Sequence, residues 1–334
     1  MIVITGGGTG GHLSIAKALA VEFAKRDQKL IYIGSLKGQD RAWFEDSELF
    51  EHKYFFDTRG VVNQNFFGKL YSLYLIIKAT LQIMIIFMKF RVKKVVSVGG
   101  FSAAPATFAS ILSLRDLYIH EQNSVIGALN KISKKFAKRF FSSYHKEFTD
   151  YPVANHFFEL SRDRENLKTI IFLGGSQGAK AINDLALHLA PYFHEKKIHI
   201  IHQAGKGDFK RVQAEYGKLG ANVDVFDFDT QLVEKIAQAD IAVARSGAGS
   251  VWELCANRVP TIFIPYPYAA ANHQYYNAKS LVDKELAFIL IQDSIEVNSV
   301  INLIENIDIK KISSGLSQVI HPDGAKQIVQ EILK

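Results

Sequence analysis

One cysteine, Cys255, stands among 334 residues, which excludes an internal disulfide and a cysteine-based metal site and points to a reducing compartment such as the cytoplasm. No basic stretch, apolar core and small-residue cleavage site open the chain. Met1-Ile2-Val3-Ile4-Thr5 reads directly as a β-strand, so no export signal is expected. Nor is there an uninterrupted apolar run of the ~20 residues that span a bilayer. The most apolar segment, Lys69 to Lys94, carries Leu, Ile, Phe and Met almost all round, yet only 10 uncharged residues separate Lys78 from Lys89. On that count no transmembrane helix is expected, and two readings remain: a buried helix of a domain, or a helix that touches a membrane surface. The adjoining Lys89, Arg91, Lys93 and Lys94 favour the second, because each basic residue near an anionic surface contributes about 1 kcal/mol.

What the chain does have is apolar material enough for two cores. Hydrophobic residues make up 48% of it, and a single core rarely grows past ~250 residues, so two domains are expected. The net charge of +7 is unevenly spread: residues 1–155 hold 21 Lys and Arg against 12 Asp and Glu, whereas residues 156–334 hold 19 against 21. A basic first half suits an anionic partner such as a membrane, a nucleic acid or a phosphorylated ligand, and equally a merely soluble basic surface.

Ile- and Val-rich runs recur at Ile2-Thr5, Leu30-Gly34, Val95-Gly99 and Leu117-His120, then at Thr169-Gly174, Ile198-Gln203, Val223-Phe228, Ile241-Ala244 and Thr261-Pro265. Runs apolar on both faces and separated by helical stretches indicate parallel strands covered on each side, a doubly wound α/β sheet. The rhythm starts twice. It breaks between about Tyr144 and Lys168, where Asp150-Tyr151-Pro152 and Arg162-Asp163-Arg164-Glu165 mark an interdomain connection. The expected domains are residues 1–155 and 165–317, with a C-terminal helix at about 318–334 that can pack back on the first.

Four strand ends run into glycine loops that open helices. The first is Gly6-Gly7-Gly8-Thr9-Gly10-Gly11-His12, the second Gly99-Gly100-Phe101-Ser102-Ala103-Ala104-Pro105. The third is Gly174-Gly175-Ser176-Gln177-Gly178-Ala179, and the fourth Arg245-Ser246-Gly247-Ala248-Gly249-Ser250. Such loops let backbone approach a ligand closely and present free N–H groups at a positive helix end. Gly6, Gly8 and Gly11 match a dinucleotide fingerprint, but that reading needs an acidic residue at the end of the second strand, and Leu30-Ile31-Tyr32-Ile33-Gly34-Ser35 ends without one. Ligands of open α/β sheets bind outside the carboxyl ends of the strands, so two such sheets facing each other imply a cleft.

Taken together, Gly7 to His12, His120-Glu121-Gln122-Asn123, Gly174 to Ala179, and Arg245-Ser246-Gly247-Ala248 followed by Glu253 resemble the MurG family. The likeness continues through Pro260-Thr261-Ile262-Phe263-Ile264-Pro265 and Asn272-His273-Gln274-Tyr275-Tyr276-Asn277-Ala278, so it covers nearly the whole chain in order. That family transfers N-acetylglucosamine from UDP-N-acetylglucosamine to undecaprenyl-diphosphate-linked muramoyl-pentapeptide, making lipid II from lipid I for peptidoglycan. The resemblance implies a GT-B fold of two Rossmann-like domains facing a central cleft. It also implies inverting transfer without metal or cofactor, by a peripheral protein on the cytoplasmic face of the bacterial inner membrane, against an anionic lipid surface.

By the same resemblance, Glu253 would accept hydrogen bonds from the ribose hydroxyls. Ser176, Gln177, Gly178 and the loop Ser246-Gly247-Ala248-Gly249-Ser250 would hold the diphosphate, several donors together, since one helix dipole supplies only ~0.3–1 kcal/mol. His273, Gln274 and Asn277 match donor-sugar positions, and Gln274 and Asn277, three apart on a helix, can face one pocket. The uracil would lie near the backbone of Phe228-Asp229. Arg245 would add a charge at the diphosphate or pair with an acidic neighbour.

His12 is the candidate for general base or for positioning the acceptor hydroxyl, because an imidazole of near-neutral pKa can take the proton as attack proceeds. Glu121 is the competing base, Asn123 a candidate for sugar or acceptor, and Thr9, Gly10 and Gly11 the acceptor loop. Three departures from the family pattern are Ile15 for a proline, Ala103 for a loop serine and Ala154 for a linker arginine; the last two bear on the acceptor diphosphate. The competing functions are another UDP-sugar transferase with a different acceptor and a UDP-N-acetylglucosamine 2-epimerase that needs no acceptor. A dehydrogenase lacks its ribose carboxylate. Nucleic acid is not expected as a partner, because Lys131, Lys134, Lys135, Lys138 and Arg139 have only Phe136 and Phe140 among them, at core-packing spacing.

Overall fold

The computed structural model describes residues 1–61, 64–145, 149–175, 178–220, 223–229 and 231–334. The chain divides into two compact units, Met1–Val153 with Asp323–Lys334, and Ala154–Pro322. Unit 1 runs β1 Ile2–Thr5, α1 Gly10–Ala24, β2 Leu30–Ser35, α2 Asp40–Phe44, β3 His52–Phe56, α3 Phe66–Lys89, β4 Lys94–Ser97, α4 Ala104–Leu112, β5 Asp116–Glu121, α5 Ala128–Ser133 and β6 Arg139–Ser142. Unit 2 runs α6 Asn155–Glu159, β7 Thr169–Leu173, α7 Lys180–Glu195, β8 His199–Gln203, α8 Phe209–Leu219, β9 Val223–Phe226, α9 Leu232–Gln238, β10 Ile241–Ala244, α10 Ala248–Ala256, β11 Thr261–Phe263, α11 His273–Val282, β12 Ala287–Ile289, α12 Val297–Asn306 and α13 Ile309–Leu316. The last helix, α14 Gly324–Leu333, returns to unit 1, where it buries Ile328, Val329 and Ile332 and packs on α1.

Each unit holds one six-stranded parallel sheet, ordered β3-β2-β1-β4-β5-β6 in unit 1 and β12-β11-β10-β7-β8-β9 in unit 2. Both are the doubly wound order, in which the chain reverses direction across the sheet between the first and fourth strands. The inner strands are buried along their length, Val3, Ile31 and Val95 in one sheet and Ile170, Val243 and Ile262 in the other, as helices on both faces require. Three strands were not evident in the sequence, β3, β6 and β12. All are edges, and β3 (His-Lys-Tyr-Phe-Phe) is half-buried throughout, so it lacks the continuous apolar run of an inner strand.

The apolar segment is resolved into one helix. α3 starts at Asn65, whose side chain accepts the Gly68 N–H, and at 24 residues it is long and apolar enough by length and composition to cross a membrane. It is nevertheless built into unit 1. Leu75, Ile76, Ala79, Ile83 and Phe87 are buried, α3 packs on α4, and Thr80 Oγ1 donates to the Pro105 carbonyl at 3.3 Å. Its other face is open: Phe67, Leu70, Tyr74, Ile77, Leu81, Ile85 and Met88 are all exposed. The helix therefore has one core face and one apolar solvent face.

Candidate active site

In unit 1 the reversal falls between β1 and β4, and the loop after β1 fills it. Gly6 has φ +124°, and a Cβ there would stand 2.5 Å from the Gly99 carbonyl oxygen, so only glycine lets the two loops cross. Helix α1 opens at Gly10 with no side-chain cap from Thr9 and no acidic residue in its first turn. Its leading N–H groups and positive end are thus suited to an anion. Thr9 Oγ1 lies 3.1 Å from His12 Nδ1, and Gln122 Nε2 lies 2.9 Å from His12 Nε2. The imidazole is half-buried between the two loops. Behind it His120 is fully buried, and burial, then the neighbouring His12, pushes its pKa down to about 3, so it stays neutral.

Glu121 ends β5 and is buried. One carboxylate oxygen accepts the Asn123 N–H at 2.9 Å, and the other accepts Gly127 N–H and Asn130 Nδ2, each at 2.9 Å. Three donors bind it to the loop that carries Gln122 and Asn123. Of the departures, Ile15 and Ala103 are fully buried and Ala154 is exposed.

In unit 2 the reversal falls between β7 and β10. Ser176 and Gln177, expected at the diphosphate, lie outside the described residues. Gly178 has φ +75°, with a Cβ there only 2.7 Å from the Ala204 carbonyl oxygen. α7 and α10 both start without a side-chain cap or an acidic first turn, so Ala248, Gly249 and Ser250 present N–H groups as Gly10 and Gly11 do. Ser246 is buried and its hydroxyl has no partner among the described residues. Glu253, in the second turn of α10, is half-buried, and burial pushes its carboxyl pKa up to about 7.

The other unit 2 candidates brace one another. Asn277 is buried and its Nδ2 donates to the Ser246 carbonyl at 3.2 Å, while Gln274 Oε1 accepts the Tyr266 N–H at 2.9 Å. His273 Nδ1 sits 2.9 Å from the Ala270 carbonyl oxygen. Arg245 is half-buried and, among the described residues, pairs with no acidic neighbour: it donates to the carbonyls of Ile264 and Pro265 and to Gln292 Oε1, with its guanidinium over the Tyr266 ring. Phe228 is exposed, and Asp229 Oδ1 accepts the Gln231 N–H.

Two residues that sequence reasoning did not single out matter to this geometry. Asp40 is wholly buried, with its carboxylate on the first glycine loop. Arg164, seen only as part of a charged connecting run, is 1% exposed and caps the carboxyl ends of α9 and α10 through the Ala239 and Asn257 carbonyls. No motif signals either one; only its burial reveals it.

Two family models match the chain: the glycosyltransferase family 28 N-terminal domain over residues 2–142 and the family 28 C-terminal domain over residues 169–328. A UDP-N-acetylglucosamine–N-acetylmuramyl-(pentapeptide) pyrophosphoryl-undecaprenol N-acetylglucosamine transferase of Campylobacter fetus is 50% identical over 334 residues, all of both chains. A relative of the same description from a Sulfurovum species is 49% identical over 100% of this chain and 98% of its own. Among solved structures, MurG of Acinetobacter baumannii superposes with TM-score 0.81 at 27% identity, over 100% of this chain and 98% of that one.

Proposed function

Since the chain belongs to the MurG family within glycosyltransferase family 28, we propose that it transfers N-acetylglucosamine from UDP-N-acetylglucosamine to the C4 hydroxyl of the muramoyl sugar of an undecaprenyl-diphosphate-linked pentapeptide. The observation that carries this reading is the 50% identity over the full length of both chains.

The roles divide by unit. Unit 2 takes the donor: Ser176, Gln177, Gly178 and residues 246–250 hold the diphosphate, Glu253 the ribose, and His273, Gln274 and Asn277 the sugar. Arg245 acts by holding the β11 loop that receives Gln274, as its three carbonyl and amide contacts support. Unit 1 takes the acceptor: Thr9, Gly10 and Gly11 face its diphosphate and Asn123 its sugar. His12 removes the hydroxyl proton, the oxygen attacks the anomeric carbon, and that carbon's bond to the diphosphate breaks with inversion. The charge that develops on the leaving oxygen is taken up by backbone N–H groups and helix ends in unit 2. Glu121 is assigned to shaping the 122–127 loop, because its oxygens are already occupied by three donors. The test is transfer of labelled N-acetylglucosamine to the lipid acceptor in detergent with EDTA, beside an acceptor-free control. Labelled lipid supports the reading; bound donor without transfer moves the acceptor elsewhere, and epimerised donor in the control overturns it.

Glu253 gives donor binding a pH signature. Its folded pKa of about 7 lies above the ordinary 4.5, so it contributes stability below pH 4.5 that is lost as pH rises through 7. Ribose hydroxyls that donate to it favour the anion and draw the pKa back down. Affinity for UDP-N-acetylglucosamine, whose diester diphosphate has no proton to lose near neutrality, should therefore rise with pH up to about 7 and level off above it, with proton release on binding below about pH 7. Calorimetry in two buffers of different protonation enthalpy measures that release. Glu253→Gln should abolish it; release unchanged in that variant would remove Glu253 from the ribose.

Membrane contact belongs to the open face of α3 and to Lys89, Arg91 and Lys93 beyond it, which are exposed. Lys94 donates instead to the Ile332 carbonyl, leaving three cations worth together about 3 kcal/mol at an anionic surface. Changing Leu81, Ile85 and Met88 together to serine should abolish co-sedimentation with anionic vesicles while transfer to a detergent-soluble acceptor persists. Vesicle binding unchanged in that triple variant would exclude this face.

A further inference from the structure

Asp40 opens α2 yet is 0% exposed, an unusual place for a carboxylate unless it is fully bonded. Its bonds join the first glycine loop to β2. Oδ2 accepts the Gly8 N–H at 2.6 Å, and Oδ1 accepts the Ser35 N–H at 3.1 Å and faces the Tyr32 hydroxyl at 3.1 Å. The same phenol reaches the Gly6 carbonyl at 3.0 Å, so Asp40 and Tyr32 grip the first glycine loop at both Gly6 and Gly8. The loop is shaped around them: a Cβ on Gly7 would stand 2.6 Å from Asp40 Oδ1.

Unit 2 is built differently. Among the described residues, no side-chain carboxylate bonds a glycine N–H in the loops after β7 or β10, and Gly175 and Gly247 have open space where a Cβ would stand. Apart from Gly178, whose N–H bonds the Gly175 carbonyl, the described glycines of those loops have no such anionic partner on their N–H groups. In unit 1 the Gly8 N–H is already taken by a negative group, so an anionic ligand is directed past it to the uncapped N–H groups of Gly10 and Gly11.

We propose that Asp40 is a positioning residue for the acceptor, fixing the glycine loop so that the acceptor diphosphate meets the start of α1 beside His12 rather than Gly8. This rests on the acceptor role of unit 1 proposed above. Asp40→Asn cannot present an oxygen to every donor and loses one charge-assisted hydrogen bond, so the acceptor KM should rise about tenfold or more. KM for UDP-N-acetylglucosamine should stay within about twofold, since the donor residues lie in unit 2. Protein labelled with 15N-glycine reports the tether directly, because the Gly8 amide resonance should move upfield when its short bond to the carboxylate is lost. Tyr32→Phe, which keeps the charge and removes the phenol from Gly6 and Asp40, should raise the acceptor KM in the same sense and serves if Asp40→Asn does not fold. An acceptor KM unchanged in a variant whose Gly8 resonance has moved overturns the proposal, as does a parallel loss in both KM values together with a lowered melting temperature. Wild-type protein that transfers nothing to the acceptor overturns the function itself, and the role of Asp40 with it.

Discussion

Replacing His12 by alanine should lower kcat for transfer by about 10²- to 10⁴-fold, the contribution of a positioned general base, with affinity for UDP-N-acetylglucosamine held within about twofold. The physical ground is the setting of the ring. It is half-buried, touched by Thr9 Oγ1 on one nitrogen and the Gln122 amide on the other, with neutral His120 behind it rather than a second charge. Glu121, the rival base, has its oxygens on Asn123, Gly127 and Asn130. Its replacement by glutamine should therefore disturb the loop, lowering the melting temperature and weakening the acceptor. Steady-state kinetics with each substrate varied, beside melting curves, separates the two. Full turnover in His12→Ala, with turnover lost in a stable Glu121→Gln, would exchange their roles.

Arg164→Met should destabilise unit 2 by about 3–5 kcal/mol, the usual cost of breaking a buried charged network. Among the described residues, its side chain is the largest that is fully buried. It donates to the Ala239, Arg162 and Asn257 carbonyls and to Asn257 Oδ1, at 2.5–2.9 Å. Burial pulls its pKa down to about 9, so it remains charged at neutral pH. Methionine fills much of the volume but leaves those acceptors buried and unpaired, each at about 1–3 kcal/mol. For a unit of this size the melting temperature should fall by about 6–20 °C in calorimetry. Because Asn257 caps α10, whose first turn carries the donor loop, UDP binding should weaken too. Lys310→Ala is the control: its pair with Glu165 is exposed, worth at most about 1 kcal/mol. Equal shifts in the two variants would show that the buried network is not what holds the two helix ends.

Inner strands were legible in the sequence because burial on both faces forces an unbroken apolar run, as in Ile170 to Phe172; edge strands β3, β6 and β12 escape that constraint and left no such run. The glycine loops were legible because close backbone crossing tolerates nothing larger at positions such as Gly6. Side-chain partners were not. Arg245, expected at the diphosphate or an acidic neighbour, donates to Ile264, Pro265 and Gln292, two of them through carbonyls that leave no trace in residue identity. Asp40 was hidden for a similar reason: its partners are mostly backbone N–H groups, and it sits five residues past the strand end where a ribose carboxylate would stand. The open face of α3 could not be told from its buried face, because both are apolar and only the packing of α4 distinguishes them.

The most direct measurement is the linkage in the product, determined by NMR on acceptor lipid that the wild-type protein has glycosylated. A single displacement on the α-linked donor sugar, with the muramoyl hydroxyl deprotonated at His12, predicts one N-acetylglucosamine in β linkage to C4. An α linkage, attachment at another position, or an unmodified acceptor beside an altered nucleotide sugar would contradict it.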